Sequence, residues 1–148
     1  MINTKNYYFF ILLLREVTLN DSDFLYELYL KRSNEDSLTK IKYDDQKIFV
    51  KNYIEKLCSH PFQSWFIIEI NGKKAGSLSL NKNRNEVGYW LLPEFQNQGI
   101  GTNAIQQFLL INKKSYYTIR THFNNKRSQH IAEKLNFSKT HFEYRIEF

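Results

Sequence analysis

The segment Asn85-Glu86-Val87-Gly88-Tyr89-Trp90-Leu91-Leu92-Pro93-Glu94-Phe95-Gln96-Asn97-Gln98-Gly99-Ile100-Gly101-Thr102 changes character twice. It opens as a strand, because Val87, Tyr89, Trp90, Leu91 and Leu92 are β-branched, aromatic or apolar and lack helical spacing. Pro93 ends that strand, since proline cannot donate to a ladder and restrains the residue before it. A helical stripe of Ile105, Phe108 and Leu109 begins after Gly101. Gln98-Gly99-Ile100-Gly101 therefore joins a strand to the first turn of a helix. Free backbone N–H groups and the helix dipole favour an anion there, and glycine lets the chain approach it closely. The result is a cradle the size of a diphosphate, without a lysine.

Two familiar phosphate loops are excluded by spacing. A P-loop needs Gly-x-x-x-x-Gly-Lys-Ser/Thr, and the dinucleotide fingerprint needs a third glycine where this chain has Ala104. What remains is the pattern Gln-x-x-Gly-x-Gly over Gln96 to Gly101.

Upstream, Ile11 to Val17 reads as a first strand. Asn20 is placed to cap a helix with Asp23 in its first turn, and Phe24, Leu25, Leu28 and Tyr29 form its apolar stripe. Lys31 to Ser37 reads as the loop that ends it. A second helix is predicted from about Asp44 to Cys58, with Phe49, Tyr53, Ile54 and Leu57 facing inward. Trp65 to Ile70, Asn71-Gly72 and Lys73 to Leu80 spell a hairpin, because Asn-Gly tolerates the two positive φ angles of a type I′ turn. Downstream, Tyr116 to Thr121 reads as a strand and Lys126 to Leu135 as a short helix anchored by Ile131 and Leu135. Phe137 to Phe148 alternates enough for one or two more strands.

Composition bounds the possibilities. The chain has 148 residues, 42% hydrophobic and 16% aromatic, enough for one domain with a single core. Nothing divides it, so residues 1–148 are read as one α+β unit. The lone Cys58 excludes an intramolecular disulfide and a cysteine-built zinc site, and is read as a small residue near a helix end. No metal is implied. Phe9 to Leu14 is too short to span a bilayer, and Arg15-Glu16 follows with no small-residue cleavage site, so a cytoplasmic protein is expected. Net charge is +6, and most of it lies from Ile111 onward, where eight Lys/Arg face three Glu. Nucleic acid, a phosphorylated ligand and a merely solvated basic face all fit that excess. However, no basic run exceeds two residues and no zinc-finger, RNP or helix-turn-helix signature occurs, which argues against nucleic acid.

Gln96 to Gly101 resembles the acetyl-CoA motif of the GNAT N-acetyltransferases, Gln/Arg-x-x-Gly-x-Gly/Ala, and Glu86 to Glu94 resembles the family's central strand and its exit. Asn125-Lys126-Arg127-Ser128, followed by Ala132-Glu133-Lys134-Leu135-Asn136-Phe137, is similar to its Asn-x-x-Ser/Ala … Glu-Lys-x-Gly-Phe element. Asn136 stands where glycine is usual, and asparagine is a good substitute at a left-handed helix cap. The resemblance spans essentially the whole chain. It implies the GNAT (acyl-CoA N-acyltransferase) fold, a mixed and mostly antiparallel sheet flanked by about four helices. It also implies acetyl transfer from the cosubstrate acetyl-CoA to a primary amine, by direct attack in a ternary complex, in a monomer or homodimer.

The resemblance assigns residues as well. Gln96 and the backbone of Gln98, Gly99, Ile100, Gly101 and Thr102 would hold the CoA diphosphate. The main chain of Trp90, Leu91 and Leu92 would pair with the pantetheine arm as an added strand. An N–H near Leu91 would hold the thioester oxygen, and Asn125 would bond the pantetheine chain, with Lys126 and Arg127 as weaker phosphate contacts. Glu86 stands where many relatives carry their catalytic carboxylate; its other role is a strand-end residue paired with Arg84 or a lysine. The commoner tyrosine acid is replaced by Ala132. Ser128 matches the serine that Rim-type relatives use in its place, and its other role is to cap or back-bond the helix. His130 reads as a surface histidine. Two acceptors compete: protein N-termini, as for Rim-type enzymes, and amino-sugar nucleotides. The latter are suggested by Tyr43-Asp44-Asp45-Gln46 and Phe49-Val50-Lys51-Asn52-Tyr53, although Gln46 replaces a histidine there. A small-molecule amine is slightly favoured over a peptide. A catalytically silent CoA-binding or nucleic-acid-associated module is the reading of another class.

Overall fold

The computed structural model describes residues 9–32, 41–141, 144 and 146. In chain order they form β1 (Leu12–Glu16), α1 (Ser22–Arg32), α2 (Tyr43–Ile54), β2 (Phe62–Ile70), β3 (Lys73–Asn81), β4 (Glu86–Leu91), α3 (Ile100–Ile111) and α4 (Lys126–Lys134). The sheet order is β1-β2-β3-β4, antiparallel throughout. The β2–β3 turn has the positive φ angles expected of Asn-Gly, 50° at Asn71 and 78° at Gly72. Asn71 also accepts from the Ile11 N–H at 2.9 Å, so the turn anchors the start of β1. No described helix is long and apolar enough to cross a membrane.

Strand alternation sorts the apolar residues into two cores. Ile68, Ile70, Leu78, Leu80, Val87 and Leu91 face α3, which contributes Ile100, Ala104, Ile105 and Phe108. Val17, Trp65 and Ile67 face the other way, toward Leu25 of α1 and Val50 of α2. Each fully buried aliphatic or Phe side chain contributes roughly 1.5–3 kcal/mol relative to exposure. Gly76 is required by the sheet itself, because a Cβ there would lie 2.0 Å from the Trp90 carbonyl.

An ion cluster ties α1 to the sheet. Asp21, 1% exposed, accepts from both Arg15 Nη atoms at 2.9 and 3.0 Å and from the Thr18 N–H at 2.8 Å, and pairs with Lys74 Nζ at 2.7 Å. Arg15 Nε also donates to Glu69 at 2.8 Å. Burial alone would push the Asp21 pKa up, but the bonds from Arg15, Lys74 and Thr18 outweigh it and hold the carboxyl well below the usual range.

Several expectations need correction. Asn20 does not cap α1; Thr18 and Asp21 bracket the short 3₁₀ turn that leads into it. The second helix stops at Ile54, four residues short of Cys58, and Lys56 adopts φ 55° just beyond. The helix is rotated so that Gln46 and Val50 are buried, while Ile54 and Leu57 are 38% and 40% exposed and Cys58 is exposed. Among the described residues, Tyr116 to Thr121 forms one parallel bridge, Thr118 to Glu86, and not a strand. Residues 137–141 are not strand, and positions 142, 143, 145, 147 and 148 lie outside the described residues, as do 33–37 of the expected loop. Asn136 does take the left-handed conformation, at φ 64°, and the Phe137 N–H closes the end of α4 on the Ala132 carbonyl.

Candidate active site

The hydrogen bonds of β4 set the phase of its backbone. The Leu92 N–H donates inward to Ala75 at 2.8 Å, and the Val87 N–H donates outward to Thr118 at 2.8 Å. Alternation then turns Gly88, Trp90 and Leu92 toward β3, and Tyr89 and Leu91 toward the outer edge. Among the described residues that edge is paired only at its start, through Thr118. Within the segment Trp90 to Leu92, expected to pair with an added strand, the main chains of Trp90 and Leu92 serve the sheet and that of Leu91 faces the edge. The Leu91 carbonyl is also taken, by Gln96 Nε2 at 2.9 Å. Beyond Val87, what β4 offers at the edge is the N–H and C=O of Tyr89 and the N–H of Leu91.

Helix α3 starts where expected. Gly99 is the N-cap of α3 at φ 77°, and no side chain caps the helix. The first intrahelical bond runs from Asn103 N–H to the Gly99 carbonyl, at 3.1 Å. The amides of Ile100, Gly101 and Thr102 precede it and have no acceptor within the helix. The two glycines differ in use. A Cβ on Gly99 would meet nothing within 4 Å, so this position faces open space. A Cβ on Gly101 would lie 3.3 Å from Ile131 and 3.5 Å from Tyr89, so Gly101 lets α3 pack against α4 and β4. Gln98 donates to the Glu94 carbonyl at 2.7 Å, bracing the loop. Gln96 is a brace too, since Arg127 donates to its Oε1 while its Nε2 holds Leu91.

Side-chain alternation places the remaining candidates on opposite faces of β4. Glu86, Gly88 and Trp90 share the α1 and α2 face, where the Arg32 guanidinium lies 5.2 Å from the Trp90 ring centroid. Val87, Tyr89 and Leu91 share the α3 and α4 face. Glu86 accepts from Arg120 at 3.3 Å; the expected alternative partners, Arg84 and the lysines, are not the ones found. Arg120 is largely exposed, and such a pair contributes ~1 kcal/mol at most.

Asn125 is the N-cap of α4, its Oδ1 accepting from the Ser128 N–H at 3.0 Å. Ser128 therefore neither caps nor back-bonds the helix. Its hydroxyl is 3.0 Å from the Tyr89 hydroxyl, which donates to it, and the residue is only 8% exposed. Burial pushes the Tyr89 pKa up, so the phenol keeps its proton. Reasoning from sequence missed Tyr89. The available signal was its place between Val87 and Leu91 on the core face, where a phenol O–H needs a partner. His130 is exposed, as read.

The chain belongs to the GNAT acetyltransferases: the family profile described as "Acetyltransferase (GNAT) domain" matches residues 12–138. It is an acetyl-CoA-dependent enzyme of that family. Solved structures show the same fold. RimL, a ribosomal L7/L12 alpha-N-protein acetyltransferase in complex with coenzyme A, aligns with a TM-score of 0.68 at 24% identity, over 83% of this chain and 77% of that one. The microcin C7 self-immunity acetyltransferase MccE, in complex with acetyl-CoA and AMP, aligns with a TM-score of 0.67 at 22% identity, over 83% and 76%. A possible acetyltransferase from Clostridium difficile 630 aligns with a TM-score of 0.64 at 15% identity, over 93% and 98%. No curated protein sequence matches the chain significantly.

Proposed function

We propose that this chain, acting as one domain, moves the acetyl group of acetyl-CoA directly onto the primary amine of a small molecule. Acetyl-CoA lies along the outer edge of β4, its diphosphate on the amides of Gln98 to Thr102. The NH2 group of Asn125, whose oxygen serves the cap, is left to meet the pantetheine chain. Leu91 N–H holds the thioester oxygen. Glu86 takes the amine proton from one face, and Ser128 donates to the departing sulfur from the other.

The observation that carries the choice of acceptor is a cavity of about 480 Å³ lined by Ile41, Lys42, Asp45, Gln46 and Phe49. Phe49 packs on Trp65, which pairs with Ser79, which pairs in turn with Gly88. The cavity therefore lies on the Glu86 side of the sheet. Its volume suits a small molecule. Gln46 is buried within it, at 8% exposure, and its amide has no partner among the described residues, so it is free to recognise a polar group. Asp45 adds a carboxylate suited to an incoming ammonium. Acetylation of protein N-terminal amines is the second reading, favoured by the likeness to RimL.

Thiol release from acetyl-CoA, measured across amino-sugar nucleotides, polyamines and N-terminal peptides, tests this. The expected result is turnover with a small amine and a loss of at least tenfold in kcat/KM on Gln46→Ala. Turnover confined to peptides would replace the first reading by the second. Acetyl-CoA binding without release for any amine would favour a silent module.

A further inference from the structure

The Tyr89–Ser128 contact joins two elements far apart in sequence, and it leaves Tyr89 with a role that packing does not explain. A half-buried phenol could be replaced by Phe at this place without changing the shape of the core, yet the chain carries a hydroxyl there and aims it at Ser128. Tyr89 O–H fills one lone pair of Ser128 Oγ, at 3.0 Å. The serine has one proton of its own, and Tyr89 does not need it. Among the described residues the Ser128 hydroxyl has no hydrogen bond besides the one to Tyr89. With the Tyr89 O–H donating, the Ser128 O–H is left free for another acceptor.

We propose that Tyr89 is a positioning residue for acetyl transfer, orienting the Ser128 hydroxyl toward the leaving sulfur and making it a stronger donor. This rests on the reading of Ser128 as the donor to that sulfur. When the C–S bond breaks, its electron pair stays on sulfur, and the amine proton goes to Glu86. The thiolate charge is spread over the chain S⁻···H–O(Ser128)···H–O(Tyr89), in which each hydrogen bond polarises the next. Neither hydroxyl has to give up its proton. The thiolate takes one from solvent after release, as suits a thiol with a pKa near 8.5. The rise of the Tyr89 pKa on burial keeps the chain intact through neutral and mildly alkaline pH.

Tyr89→Phe, Ser128→Ala and the double variant test this, each checked for folding by thermal unfolding and assayed with two acyl donors that differ in thiol acidity. Tyr89→Phe is expected to lower kcat roughly 5–15-fold while leaving the KM for acetyl-CoA nearly unchanged. The penalty should shrink with the donor whose thiol is more acidic, and the double variant should be no slower than Ser128→Ala alone. A merely structural tyrosine would lower stability without any dependence on the leaving group. Normal kcat in Tyr89→Phe beside an impaired Ser128→Ala would overturn the positioning role alone, as would fully additive losses. Normal kcat in Ser128→Ala would remove Ser128 as the donor and the inference with it.

Discussion

Replacing Glu86 by Gln is expected to lower turnover at neutral pH by about 10²–10⁴-fold, the usual contribution of a general base. The amide keeps the shape and the hydrogen bond from Arg120 but cannot take the proton that the amine must lose. Glu86 shares its face of β4 with Gly88 and Trp90, while the cradle lies beyond Pro93 at the start of α3. Acetyl-CoA affinity should therefore change little. The rate should recover in part as pH rises, because more of the substrate amine is already neutral. Assay of kcat from pH 6.5 to 9.5 checks both features, and a near-normal rate at pH 7 would remove Glu86 from the chemistry.

Asp21→Asn should cost about 3 kcal/mol of stability, the lower end of the range for breaking a buried ion pair. Arg15 and Lys74, both about one-third exposed, would lose the carboxylate they share; Arg15 keeps a second carboxylate in Glu69, and Lys74 keeps the Phe24 ring. Their contact with water trims the penalty. The sign with pH follows from the depressed native pKa. The stabilisation is complete above the ordinary carboxylate value of about 3.9 and is lost as pH falls through it toward the native value. Urea unfolding should show the variant and the parent converging below about pH 4, and a difference under 1 kcal/mol at pH 7 would contradict the cluster's role.

The parts of the fold legible in the sequence are those with local causes. Asn71-Gly72 specified its turn, Pro93 ended β4, and the glycine pair marked the start of α3. Asn125 and Asn136 sit at helix ends where their side chains or left-handed tolerance are used. Long-range causes were not legible. Which face of α2 turns inward is set by the aromatic cluster of Phe49, Tyr53, His60, Phe62 and Trp65, so Gln46 is buried while Ile54 is not. Within the site, motif spacing located the cradle, but which Trp90 to Leu92 amides face outward depends on pairing with β3. The partner of Ser128 lies 39 residues away on another element.

The central claim is that the start of α3 holds acetyl-CoA, and Gly99 tests it most directly. Its left-handed backbone is tolerated by Asn and Asp, and the space beside it is open. Gly99→Asn and Gly99→Asp therefore differ in charge alone. Parent and Gly99→Asn should both melt higher with millimolar acetyl-CoA, since a ligand of the native state stabilises it by mass action. Gly99→Asp, with a carboxylate among the diphosphate-binding amides, should show no shift. An equal shift in the folded Gly99→Asp protein would place acetyl-CoA elsewhere.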